Sequence, residues 1–234
     1  MKNDISIVIP YYNSVAMIPI QLQYWNAYTP EIKKDIKIII VDDGSEESQK
    51  VNKHIPQNLD LNLEIYEIQE DIPWNECGAN NLGCHVATSQ WIFRNDFDWL
   101  IPVELLKHIA TYTLDPTKVY NFNSQYWQGN NPPNERLGIP PNILLFTKDV
   151  FFKSGGYDED FRGHHGCDML FRHRLAAVAP CITYPFGYME AVLAGSGHTL
   201  ARDATESYKL LNKKISGEIP ISKDILRFTW KRVR

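Results

Sequence analysis

Long apolar runs are missing from this sequence. No stretch approaches the roughly 18 to 20 consecutive apolar residues that a membrane-spanning helix needs. The N-terminal "MKNDISIVIPYYN" has only about five apolar residues before Pro10, too few for a secretory leader. Cysteine is scarce as well. Cys77, Cys84, Cys167 and Cys181 form no C-x-x-C pair and no dense framework, which argues against a disulfide scaffold and favours a reduced, cytoplasmic setting. Nor is there an excess of positive charge: a net charge of -4 gives no global attraction to nucleic acid. What remains is an ordinary globular balance of 44% hydrophobic and 22% charged residues in 234, enough to bury a substantial core. The expectation is a soluble chain, or a soluble piece of something larger.

Apolar periodicity predicts an α/β fold. Ile5 to Ile9 reads as a short buried strand stopped by Pro10, which cannot donate to a central ladder. A helix over Val15 to Tyr28, despite Pro19, leads to a second apolar strand, Ile36 to Val41, that ends in Asp42, Asp43, Gly44 and Ser45. Strand, helix and strand in this order is the βαβ unit of a parallel sheet. It puts Asp42 and Asp43 at the same sheet edge as Tyr11 and Asn13. The "VDDGS" turn has two compatible readings, a cap for a helix over Glu46 to His54 and a ligand site, since a cap needs only one carboxylate. Leu61 to Gln69 alternates as a third strand, and Glu76 to Thr88 places small residues at helical spacing, with Gly78 and Gly83 allowing close approach.

That helix runs into "SQWIFRNDFDWLIP", where a buried strand through Trp91, Ile92 and Phe93 delivers Asp96 and Asp98. Open α/β sheets bind ligands beyond the carboxyl ends of their strands, and two hard oxygen donors there suit Mg²⁺ or Mn²⁺ holding a diphosphate. An Asp-x-Asp alone is weak, and a second one stands at Asp158 and Asp160. Further along, the spacing predicts a helix over Leu105 to Leu114, a half-exposed strand over Tyr120 to Trp127, a loop over Gln128 to Asn142, a strand over Ile143 to Phe146 and a helix over Ala201 to Ile215.

Four stretches in order, "ISIVIPYYN", "IIIVDDGS", "GANNLGCHVATSQWIFRNDFD" and "GGYDEDFRGHHGCDMLFRHRL", together resemble the motifs of inverting family 2 glycosyltransferases of the GT-A fold, over about residues 5 to 175. The resemblance implies a Rossmann-like α/β/α sandwich with a mostly parallel central sheet, formed by a single domain over 1–215. Its nucleotide-binding half would cover about 1–102 and its acceptor-binding half about 103–215, with a basic tail over 216–234. It also implies a nucleotide-sugar donor, a divalent Mn²⁺ or Mg²⁺, a glycan or lipid-linked acceptor, and a place in polysaccharide biosynthesis. Carried over by position, Pro10, Tyr11 and Asn13 would border the base, Asp43 would accept from a base nitrogen and Asp42 would shape the loop. Asn81 would face the nucleotide, Asp96 the ribose, and Asp98 and His198 the metal. Asp168, at the start of a helix, would be the general base. Trp127, His164, His165 and Cys167 would meet the acceptor.

Three residues depart from the family pattern. Asn80 stands where an arginine is frequent, Phe97 puts a large ring inside the Asp-x-Asp, and Cys167 replaces the glutamate that usually precedes the base. These departures support the alternative of a catalytically inactive nucleotide- or glycan-binding module. Cys167 reads as a buried thiol rather than a nucleophile. His164 and His165 are adjacent and lack zinc-ligand spacing, so sugar contact or plain exposure is favoured over a metal site. His198 is equally a loop histidine, and Trp127 equally core material. Trp74, Trp99 and Tyr126 are weaker candidates for sugar stacking. The C-terminal "SKDILRFTWKRVR" is expected to be a solvated helix face, with contact to an anionic membrane surface as the alternative.

Two other α/β readings are disfavoured. A sugar-nucleotide pyrophosphorylase opens with a glycine-rich, arginine-bearing phosphate loop, whereas here the first strand runs into Pro-Tyr-Tyr-Asn. A response-regulator receiver carries its paired acids after the first strand, not the second.

Overall fold

Alternating apolar residues along the first two strands set the layers. In β1 (Ile5–Tyr11) the side chains of Ile5, Ile7 and Ile9 join one apolar cluster and Val8 joins another; in β2 (Ile36–Asp42) Ile36, Ile38 and Ile40 part from Ile39 and Val41 in the same way. A sheet buried on both faces needs helices on both sides, which is why its strands read as near-continuous apolar runs. The structure, a computed structural model, describes residues 3–126, 136–192 and 204–234.

In chain order β1 is followed by α1 (Ile18–Ala27), α2 (Pro30–Asp35), β2, β3 (Leu63–Ile68), α3 (Glu76–Val86), β4 (Trp91–Arg94), β5 (Trp99–Leu100) and α4 (Val103–Thr111). Then come β6 (Val119–Asn121), β7 (Ser124–Tyr126), β8 (Arg136–Leu137), β9 (Leu144–Thr147) and α5 (Lys148–Ser154). The chain closes with α6 (Cys167–Ala176), β10 (Cys181–Thr183), β11 (Met189–Ala191), α7 (Ala204–Ser216) and β12 (Trp230–Arg232). The main sheet has the order β10-β6-β9-β4-β1-β2-β3-β12, parallel through β4-β1-β2-β3, with β9 and β12 antiparallel to their neighbours. One face packs on α1, α2 and α4 through Trp25, Ile32, Leu105 and Ile109; the other packs on α3, α5, α6 and α7 through Leu82, Phe151, Leu170 and Leu211. The result is an α/β/α sandwich.

Two features position the site. β1 lies between β2 and β4, so the strand order reverses there, and the carboxyl ends of β1, β2 and β4 open on one crevice. α3 sits close over β1 because residue 83 is glycine: a Cβ there would lie 2.3 Å from Val8 Cγ1. The start of α3 is thereby held above the strand ends. A second sheet, β5-β11-β7-β8, stands beyond them, and Val192 N donates to Asp98 O at 2.9 Å where β5 leaves the crevice.

Several elements differ from the sequence expectation. Glu46 to His54 is mostly turn, with one 3-10 turn at Val51–Lys53, because Asp42 takes the Ser45 and Val51 amides and bends the chain around its own carboxylate. The single strand expected from Tyr120 onward is two, β6 in the main sheet and β7 in the second, as the chain steps between layers. Pro19 falls in the first turn of α1, where its missing N–H costs nothing.

The C-terminal stretch is not a helix. Residues 217–229 return along the molecule and β12 pairs with β3. The Asp158–Asp160 stretch holds this return: Glu159 accepts from Leu226 N and Arg227 N at 2.7 and 3.1 Å, and Asp158 accepts from Ser222 N at 2.9 Å. Lys214 of α7, 1% exposed, bridges Asp158 and Asp160 at 2.9 and 2.5 Å. The basic residues expected on an open face are drawn to acids of the fold, Arg227 to Asp160, Lys231 to Glu67 and Arg232 to Glu64. Among the described residues no helix is long and apolar enough to cross a membrane.

Candidate active site

The end of β2 divides its two aspartates between different tasks. Asp42 is buried, with Oδ1 accepting from Ser45 N at 2.9 Å and Oδ2 from Val51 N at 3.0 Å, so it shapes the turn. Asn13, left-handed at φ 45°, ties the end of β1 to the same turn by accepting from Glu46 N at 3.0 Å. Asp43 lies against Asn75, yet one of its oxygens, Oδ1, is buried without a hydrogen bond. Burial pushes the Asp43 carboxyl well above the usual carboxylate range, helped by Asp42 and Glu76 and only partly offset by Asn75.

Beyond β4 the chain turns through Asp96, Phe97 and Asp98. The turn is fastened from α1, where Gln21 Nε2 donates to the carbonyls of Phe97 and Trp99 at 2.8 and 3.0 Å. The large ring at 97 is buried and packs edge-on against Tyr11, with centroids 4.9 Å apart at 89°. Burial and then the neighbouring Asp96 raise the Asp98 carboxyl to about 6. It has no basic side chain in contact among the described residues. A half-buried carboxylate raised by a second one nearby fits a divalent cation, which favours hard oxygen donors and would relieve that repulsion.

Two residues that the sequence reading passed over shape this region, Glu76 in the cavity wall and Arg94 buried behind it. Arg94 is the last residue of β4, with a fully buried side chain; its guanidinium pairs with Glu76 at 2.5 Å and with Asp96, and donates to Asn142 O and Asn80 Oδ1 at 3.0 Å each. Glu76 opens α3, where a carboxylate also favours the positive end of the helix. Burial first, then Asp96 and Asp168 against the opposing pull of Arg94, raise Glu76 to about 7. The available signals were an arginine inside an apolar strand and an acid at a helix start.

These side chains border one cavity of about 260 Å³, lined by Pro10, Tyr11, Tyr12, Ser14, Met17, Asp43, Trp74, Glu76, Asp96, Phe97, Asp98 and Asn142. Asp168, in the first turn of α6, stands outside that lining but within electrostatic reach of Glu76. Acids from the ends of β2 and β4 and the start of α3 thus line one cavity. Among the described residues Arg94 is the only basic side chain paired with any of them.

Other expected site residues are placed elsewhere. Asn81 is buried away from the cavity: its Nδ2 donates to Tyr157 O and Glu159 Oε1 at 3.0 Å each, and its Oδ1 accepts from Tyr157 N at 2.8 Å, so its amide is spent inside the fold. His164 and His165 lie against α7, where His165 N donates to Ser207 Oγ at 3.0 Å. Among the described residues no group of three or more His, Cys, Asp or Glu could hold a metal by itself. Cys167 is buried beside Cys77, and that contact and burial push its thiol up, the state of an inert thiol. Trp127 and His198 lie outside the described residues.

A sequence profile described as Glycosyl transferase family 2 matches residues 6–176. No curated protein sequence matches the chain. Among solved structures, Staphylococcus aureus TarS 1-349 in complex with UDP-GlcNAc superposes with TM-score 0.71 at 17% identity, covering 92% of this chain and 66% of that one. The mannosyltransferase PcManGT from Pyrobaculum calidifontis, in complex with GDP-Man and Mn²⁺, gives 0.63 at 16%, over 85% and 59%. GalNAc-T7 with UDP, GalNAc and Mn²⁺ gives 0.62 at 12%, over 88% and 47%. This chain therefore spans roughly half to two thirds of the length of those proteins.

Proposed function

The chain belongs to glycosyl transferase family 2 and has the GT-A fold, and from that premise we propose that it transfers a sugar from a nucleoside-diphosphate sugar to an acceptor hydroxyl with inversion. The observation that carries this reading is the charge of the cavity wall. Asp43, Asp96, Asp98 and Glu76 line it, Asp168 stands near, and Arg94 is the one cation paired with them among the described residues. A diphosphate entering unaided would be repelled. A divalent ion held by Asp98, with Asp96 alongside, would neutralise the diphosphate and act as a Lewis acid when bound.

The protein's own residues do the rest. Asp43 offers its unpaired oxygen to a base N–H, the edge-packed rings of Tyr11 and Phe97 wall the cavity, and Arg94 holds Glu76 and Asp96 in place. Asp168 takes the proton from the acceptor hydroxyl as its oxygen attacks the anomeric carbon, and the nucleoside diphosphate leaves from the opposite face. The half of the chain to about residue 102 binds the donor. The half from about 103 to 215, including β7, β8 and β11 of the second sheet, serves a glycan or lipid-linked acceptor.

Binding tests this first. UDP, GDP and dTDP with Mn²⁺ should raise the melting temperature by about 5 to 10 °C at a hundredfold excess over Kd. Asp98→Ala should lose the Mn²⁺-dependent part. Full affinity in that variant would refute the metal role. A catalytically inactive binding module, the reading that Cys167 in place of a glutamate favours, would show the shift but release no free sugar from donor in the absence of acceptor.

A further inference from the structure

Trp74 lines the cavity from a backbone conformation that bulky residues rarely adopt, with φ at 46°. Such strain persists only where the surroundings over-determine it, and it concentrates at ligand clamps. Here the peptide is gripped from several sides. Trp74 O accepts from Gly163 N at 3.4 Å, and the next residue, Asn75, is fully buried, takes Arg162 Nε on its Oδ1 at 3.1 Å and lies against Asp43. Asn75 therefore places its neighbour Trp74 at the Asp43 end of the cavity, where the Asp43 Oδ1 atom is buried and unpaired.

We propose that Trp74 is held in this left-handed backbone so that its indole forms a stacking face for the donor nucleobase, whose ring N–H pairs with Asp43 Oδ1. The inference rests on the donor-binding reading above and assigns it a residue. An acceptor oxygen selects bases that present a ring N–H, which are uracil, thymine and guanine; adenine and cytosine present an acceptor nitrogen at the equivalent place. A flat aromatic wall adds affinity for any of the three, because every base has a π-face.

Isothermal titration of UDP, GDP and dTDP, and of the monophosphate of whichever binds best, into wild type, Trp74→Gly and Trp74→Phe with Mn²⁺ tests it. Glycine adopts a positive φ freely, so Trp74→Gly should melt at or above the wild-type temperature while losing about tenfold or more in affinity. The loss should be equal for mono- and diphosphate, and Trp74→Phe should keep most of the binding. Unchanged affinity in Trp74→Gly, a loss confined to the diphosphate, or a fall in melting temperature that accompanies the loss would each overturn the assignment and leave the donor reading standing. If wild type bound none of the three diphosphates, the donor reading would fall and this inference with it.

Discussion

Arg94 and Glu76 meet at 2.5 Å across two different elements, the end of β4 and the start of α3, and the same guanidinium also holds Asp96. The pair joins the strand that delivers the Asp-x-Asp to the helix lying over it. Its energetic weight follows from the burial of the arginine, since the Arg94 side chain is 0% exposed. Removing one partner of a buried pair leaves the other uncompensated.

Arg94→Met should therefore cost about 3 kcal/mol in urea unfolding. Adding Glu76→Gln should cost less than the sum of the two single changes, because the residues share one interaction. Strict additivity would show that the contact contributes nothing.

Glu76 sets a pH dependence whose sign can be worked out. Its folded value of about 7 lies above an unfolded value of about 4.3. Between these the folded state binds the extra proton, so this group's contribution to stability falls as pH rises from about 4 to about 7. Relative to wild type, metal-free Glu76→Gln should gain stability across that window, and the two curves should run parallel outside it. Parallel curves throughout would mean that the carboxyl titrates normally.

Asp168→Asn should lower kcat by about 10² to 10⁴ while nucleotide affinity stays near that of wild type. The asparagine keeps the volume and removes only the basicity. Near-normal turnover would assign the base to another group.

Lys214 predicts the strength of the C-terminal strap. Lys214→Met strands Asp158, which is 0% exposed, and should cost about 3 kcal/mol, or about 6 to 12 °C in melting temperature. Asp158→Asn in the same chain should recover part of the loss, and a loss unaltered by it would place the cost elsewhere.

The layering and the site edge were legible in the sequence because they follow from local pattern. Apolar runs at Ile5 to Ile9 and Ile36 to Val41 dictate strands buried on both faces, and the polar residues just past them, Tyr11 to Asn13 and Asp42 with Asp43, fall at the carboxyl edge whatever else the chain does. Contacts between residues distant in sequence were not legible. Nothing local tells that Asn81 spends its amide on Tyr157 and Glu159 rather than on a ligand, or that Arg94 gathers Glu76, Asp96 and Asn142. The same holds for the C-terminal basic stretch, which reads as a helix by itself and becomes a strand because β3 offers it an open edge and Glu159 takes its amides. Local pattern determines which face of an element is buried; the pairing of charges depends on which elements the finished sheet brings side by side.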